Sequence, residues 1–131
     1  MWCTRLAQSW VANIGHLISG DAAIYVAYLG DDQEKMPLFA VHALDNPGSL
    51  SRRLEHYTAH RNFIESDRSH GVSIVISGPL QSDDGEIMIG SLFLIEAPGR
   101  AEVEAFVKAD PFMVEGVWDK VQITRFHRRR G

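Results

Sequence analysis

Val72-Ser-Ile-Val-Ile-Ser-Gly-Pro-Leu-Gln-Ser-Asp-Asp-Gly-Glu-Ile-Met-Ile-Gly-Ser-Leu-Phe-Leu-Ile95 contains two apolar runs separated by a turn. The β-branched run Val72–Ile76 predicts a strand. Gly78-Pro79 is expected to break it, and Ser82-Asp-Asp-Gly85 has turn composition. Ile87–Ile95 then predicts a second strand. Two strands in direct succession, flanked on each side by a helical pattern, decide the fold.

Upstream, Leu38-Phe-Ala-Val-His-Ala-Leu44 reads as a short strand of buried type. Asn46-Pro-Gly48 is a turn, and Ser49 is placed to N-cap a helix running to about Asp67. Leu50, Leu54, Tyr57, Arg61 and Ile64 recur at steps of three and four, so they are expected to share its face. Gly71 ends that region. Downstream, Pro98-Gly99 precedes a helix from about Arg100 to Ala109, with Val103, Phe106 and Val107 as its apolar face. Pro111 pushes Asp110 out of the helical region and ends it. A short turn carries Phe112 and Val114, and Val117 to Phe126 is the last strand.

The order is βαββαβ, the ferredoxin-like arrangement of the α+β class. It predicts a four-stranded antiparallel sheet with two helices on one face. The other face would carry too many apolar side chains for a small monomer, so a homodimer packed sheet against sheet, a dimeric α/β barrel, is expected.

The chain has 131 residues, 45% hydrophobic and 23% charged, which is ordinary for a globular protein. A net charge of −4 gives no electrostatic case for nucleic acid. The basic run His127-Arg-Arg-Arg130 is too short to change this and reads as a solvated tail. Cys3 is the sole cysteine, which excludes an internal disulfide and fits a reducing, cytoplasmic compartment. No apolar run reaches the ~18–20 residues of a membrane span, so no membrane partner is expected. Residues 1–35 hold two of the three tryptophans and end in the polar run Gly30-Asp-Asp-Gln-Glu-Lys35. They are expected to be an N-terminal extension, with Met36 as the biological start of the protein and 36–131 as the domain; the alternative is a real arm that packs on the domain or on a partner.

Two chemistry-bearing residues stand out. Asp110 lies at a helix end and His60 inside the other helix, so the fold can bring them together as an acid/base pair. An unperturbed imidazole titrates near ~6.5, close to working pH. A carboxylate beside it would fix its tautomer. The plainer readings are a helix histidine satisfied by backbone or water, and a turn-forming Asp before proline. Arg53 precedes His60 by seven residues, nearly two helical turns, so both point the same way. It could hold a substrate oxygen, or pair at the surface with Asp119 or Glu115. Tyr57 lies between them, as pocket lining or as core. Gly78 and Pro79 either shape a pocket wall or only end a strand. The side of the sheet on which Ser91 lies is open. A Ser-His-Asp triad is rejected, because no Gly-x-Ser-x-Gly elbow is present. His56 and His60 share a helix side, but no further zinc ligands are nominated and no metal is expected. Phe112 and Trp118 read first as core or dimer-interface residues.

Four stretches in order and at compatible spacing make the chain resemble the YciI-like (YCII-related) family. They are Ser49-Leu-Ser-Arg-Arg-Leu54 followed by His60, Ser77-Gly-Pro-Leu80, Gly90-Ser91, and Ala109-Asp-Pro-Phe112 leading to Gly116-Val-Trp118. The resemblance covers about residues 37–126. It implies a dimeric ferredoxin-like fold and an active site built on a His–Asp pair, carried here by His60 and Asp110. Related members include dehydrochlorinases acting on hydroxylated aromatic rings, while many others have no assigned substrate. The expectation is a cofactor-independent enzyme performing elimination or isomerisation on a small cyclic or aromatic molecule. Arg53, Tyr57, Gly78, Pro79 and Ser91 would bind that substrate. The competing expectation is a non-catalytic metabolite-binding or accessory module in which the pair is a structural bridge.

Overall fold

The computed structural model describes residues 36–131, so the expectation for residues 1–35 lies outside the described residues. The elements are β1 (Leu38–Asp45), α1 (Leu50–Glu55), α2 (Tyr57–Glu65), a 3-10 turn (Asp67–His70), β2 (Ser73–Gln81), β3 (Met88–Glu96), α3 (Arg100–Ala109), α4 (Pro111–Val114) and β4 (Trp118–Phe126). The four strands are antiparallel in the order β2-β3-β1-β4. The fold is ferredoxin-like, with the helices on one face of the sheet.

Cross-strand register sorts the two faces, because directly paired residues point the same way. Val41 pairs with Phe93 and Ile123, Ala43 with Ser91 and Val121, and Phe39 with Ile95. These side chains meet Val103, Phe106 and Val107 of α3 in the core. The opposite face pairs His42 with Leu92 and Gln122, Leu38 with Phe126, and Ile76 with Leu94. Leu44, Ile76, Leu92 and Phe126 stand exposed there.

Three sequence expectations are corrected. First, the helix after Ser49 is not continuous. It divides at His56, whose φ of −98° and ψ of 9° leave the helical basin, and the Ser49 side chain makes no capping hydrogen bond. The ladder nevertheless carries across the division, since the His56 amide donates to the Arg52 carbonyl and the His60 amide to the His56 carbonyl. Second, the inward face of these helices is not the expected apolar stripe. Leu50, Leu54, Tyr57 and Arg61 are exposed, while Arg53 and His60 are buried. Third, β2 does not stop at Gly78-Pro79 but runs on to Gln81. It is an edge strand paired only with β3, so a proline without an N–H costs no ladder bond on its free side. The turn after Asp110 closes as the one-turn helix α4.

Gly90 sits where β3 crosses β1 so closely that a Cβ would strike the Ala43 carbonyl oxygen and press on Leu80. Gly90→Ala is therefore expected to cost about 1–3 kcal/mol, the range for overpacked sites. Urea unfolding measures this, and a loss under about 0.5 kcal/mol, typical of a surface change, would show that the strands yield freely.

Candidate functional site

Asp110 joins two helices and one histidine. Its backbone is extended, with φ −63° and ψ 132°, as Pro111 requires, so α3 ends there. The same residue starts α4 as its N-cap, with Pro111 in the first turn and Oδ1 accepting from the Phe112 amide at 2.9 Å. Both carboxylate oxygens also reach His60 Nδ1, at 2.8 and 3.0 Å. Asp110 is 0% exposed and His60 6%. A carboxylate only accepts, so Nδ1 carries a proton and donates it; in the neutral imidazole Nε2 is then the nitrogen with the lone pair.

Three aromatic rings hold the imidazole in place. Phe112, oriented by the cap, stacks on it at 3.9 Å with an interplanar angle of 11°. Phe93 and Trp118 meet it edge-on at 6.1 and 6.0 Å. Asp110, Pro111 and Phe112 thus supply in sequence the acceptor, the chain direction and the stacking surface.

Arg53 lies beside this group and is 2% exposed. Nη1 donates to both oxygens of Asp45, at 2.9 and 3.1 Å. Nη2 donates to the Gly90 carbonyl and to Ser91 Oγ, both at 2.8 Å. The guanidinium carbon stands 4.6 Å from the centre of the Phe112 ring. Nε is buried and has no partner. The surface pairing with Asp119 or Glu115 is therefore replaced by a buried pairing with Asp45, a residue that sequence reasoning missed. Its one signal was position: it ends β1, eight residues before Arg53, ahead of the Asn46-Pro-Gly48 turn. Burial pushes the Asp45 carboxyl above its ordinary value, against the pull of the Arg53 charge and hydrogen bonds.

Ser91 lies on the helix-facing side of the sheet, buried, and Oγ also accepts from Trp118 Nε1 at 3.3 Å. A cleft of about 180 Å³ opens in front of these groups. Arg53, Tyr57 and His60 of the helices and Ser91 of β3 line it, with Gly78 and Pro79 of the edge strand β2. Asp110 sits behind His60. Tyr57 is 40% exposed, so it is a rim residue rather than core, and the Arg61 guanidinium lies 5.9 Å from its ring centre. His56 shares no ligand set with His60. It lies 3.8 Å from Glu115, and among the described residues no three metal-binding side chains cluster. No helix among the described residues is long and apolar enough to cross a membrane.

With this geometry in hand, comparison with known proteins is informative. The family model for the YCII-related domain matches residues 37–127. Among solved structures, the chain is similar to 5-chloro-2-hydroxyhydroquinone dehydrochlorinase from Burkholderia phenoliruptrix AC1100, in complex with 2,5-dihydroxybenzoquinone. The identity is 32% over 69% of this chain and 93% of that one, with a TM-score of 0.61. Comparison with curated proteins gave no match.

Two outcomes follow from the site's geometry. Asp110→Ala removes the α4 cap, worth ~1 kcal/mol, and leaves a buried imidazole donor unmet, at ~1–3 kcal/mol. A total loss of about 2–4 kcal/mol is expected in chemical denaturation. For Asp45, a folded-state pKa above the usual 3.8 means that the folded chain holds the proton more tightly than the unfolded one. The stability of the natural protein relative to Asp45→Asn should therefore fall as pH rises through 3.8 and level off once the folded carboxyl has ionised. Urea unfolding from acid to neutral pH reads the sign directly.

Proposed function

Because this chain belongs to the YCII-related domain family, we propose that it is a small-molecule enzyme whose His60–Asp110 pair moves protons without a cofactor. The substrate is a small cyclic or aromatic molecule, and the reaction an elimination or isomerisation. One observation carries this reading: His60 lines the cleft while its Nδ1 is bonded to the buried Asp110, an arrangement in which the neutral imidazole has Nε2 to take a proton. The similarity to a dehydrochlorinase supports the reaction class. The cleft volume supports the substrate size, since an apolar cavity of ~150 Å³ accepts benzene.

In an elimination, Nε2 takes a proton from the substrate. The electron pair left behind forms the new double bond, and the leaving group, such as chloride, departs with its own pair. The imidazolium formed is stabilised by Asp110. No oxidant is needed, because the substrate loses only HX. Arg53 and Ser91 bind a substrate oxygen, Tyr57 borders the ring, and Gly78 and Pro79 form the facing wall. In this reading residues 36–131 are the working domain, 1–35 an extension, and the protein a cytoplasmic homodimer. The exposed row of Leu44, Ile76, Leu92 and Phe126 supports sheet-to-sheet pairing.

A second reading has its own observation: Asp110 also caps α4, so the pair could serve the fold alone as the bridge of a non-catalytic module. His60→Asn separates the two, because its amide N–H can still donate to Asp110 while the Nε2 base is gone. With halogenated hydroquinones as substrates and released halide as the readout, kcat should fall ~10²–10⁴-fold with the melting temperature held near the natural value. Full turnover in His60→Asn would reject the catalytic role.

A further inference from the structure

The Arg53 guanidinium is not a free anion clamp. An arginine that grips a carboxylate does so through its fork of paired N–H groups. Here the Nη1 and Nη2 ends of the fork are turned into the protein, bonded to Asp45, Gly90 and Ser91. Nε–H has no partner, but it is buried and gives an entering ligand no contact. Ser91 Oγ accepts from both Arg53 Nη2 and Trp118 Nε1, which commits its two lone pairs and leaves its O–H as a donor.

The charges point the same way. Asp45 cancels Arg53 within one buried pair. His60 is paired with Asp110 in the same way, so neither buried pair leaves a positive charge over, whichever form the imidazole takes. At the rim, Arg61 faces Glu65 at 3.8 Å. The cleft therefore offers hydrogen-bond donors without surplus positive charge. A carboxylate entering it would shed its hydration at a cost of several kcal/mol with nothing to balance its charge. An uncharged carbonyl or hydroxyl loses much less on entry and can still accept from Ser91 Oγ–H.

We infer that Asp45 is the charge-selectivity determinant of the cleft: by consuming the Arg53 fork and cancelling its charge, it fits the site to uncharged oxygen ligands and against carboxylates. This rests on the reading of the cleft as the substrate site. It also suits proton-transfer chemistry. An uncharged substrate that gives its proton to His60 becomes an anion only when an imidazolium has formed beside it.

Benzamide and benzoate are nearly isosteric and differ in charge at neutral pH, where a carboxylic acid is ionised. Each is titrated into the full chain while the His60 ring resonances are followed by NMR. The natural protein should bind benzamide about tenfold more tightly than benzoate. In Asp45→Asn the Arg53 charge is uncancelled, and the preference should shift toward benzoate by a similar factor. Tighter benzoate binding in the natural protein overturns the inference while leaving the cleft as the site, and this comparison decides the matter even if Asp45→Asn fails to fold. An unchanged ratio in a folded Asp45→Asn overturns it too. If neither compound moves the His60 signals, the cleft reading falls and the inference falls with it.

Discussion

A guanidinium taken out of water needs acceptors, and Arg53, taken out almost completely, finds them at both ends of its fork. That requirement ties the domain together. Arg53 stands on α1, and its acceptors come from the end of β1 and from Gly90 and Ser91 of β3, with the Phe112 ring of α4 nearby. The two strands must lie close enough for one side chain to reach both, and Gly90, which cannot gain a Cβ without striking Ala43, keeps them close. The inward face of the α1–α2 segment is thus organised around a charge rather than around leucines. The sheet register and the position of the cleft share this one anchor.

Asp110 has the complementary task at the other side of the cleft. One oxygen accepts from both the Phe112 amide and the imidazole, so the helix cap and the histidine orientation cannot be adjusted separately. Phe112, fixed by that cap, then stacks on the ring it helped to orient. The histidine is held by one polar contact and three aromatic ones, which restrains its tilt as well as its tautomer. Local chain chemistry, a proline that forbids helix before it and starts helix after it, becomes the orientation of a buried imidazole.

The element order was legible because each boundary carries its own local signal: Asn46-Pro-Gly48, Gly71, Ser82-Asp-Asp-Gly85, Pro98-Gly99 and Asp110-Pro111. His60 and Asp110 were legible as candidates because their types and elements were unusual, and the family resemblance paired them. The face of the first helix was misread because periodicity finds leucines, and nothing in the period says that an arginine and a histidine will turn inward. Asp45 was invisible for a related reason. A carboxylate at a strand end looks like any turn residue until the strand pairing places it against a buried guanidinium. Gly78-Pro79 was read as a stop because a proline's cost depends on whether its strand has one neighbour or two, and only the sheet order tells.

That edge position has a consequence for how such a protein diversifies. The two walls of the cleft differ in how far they are tied to the fold. Arg53, His60 and Ser91 are knotted into the buried network. The facing residues of β2, Ser77 to Pro79, are solvent-exposed and pair with one strand only. Replacements there change the shape of the cleft while leaving the His60–Asp110 pair, its cap and the core undisturbed. Descendants of such a chain can reshape the cleft by drift along a single edge strand while the buried pair stays in place.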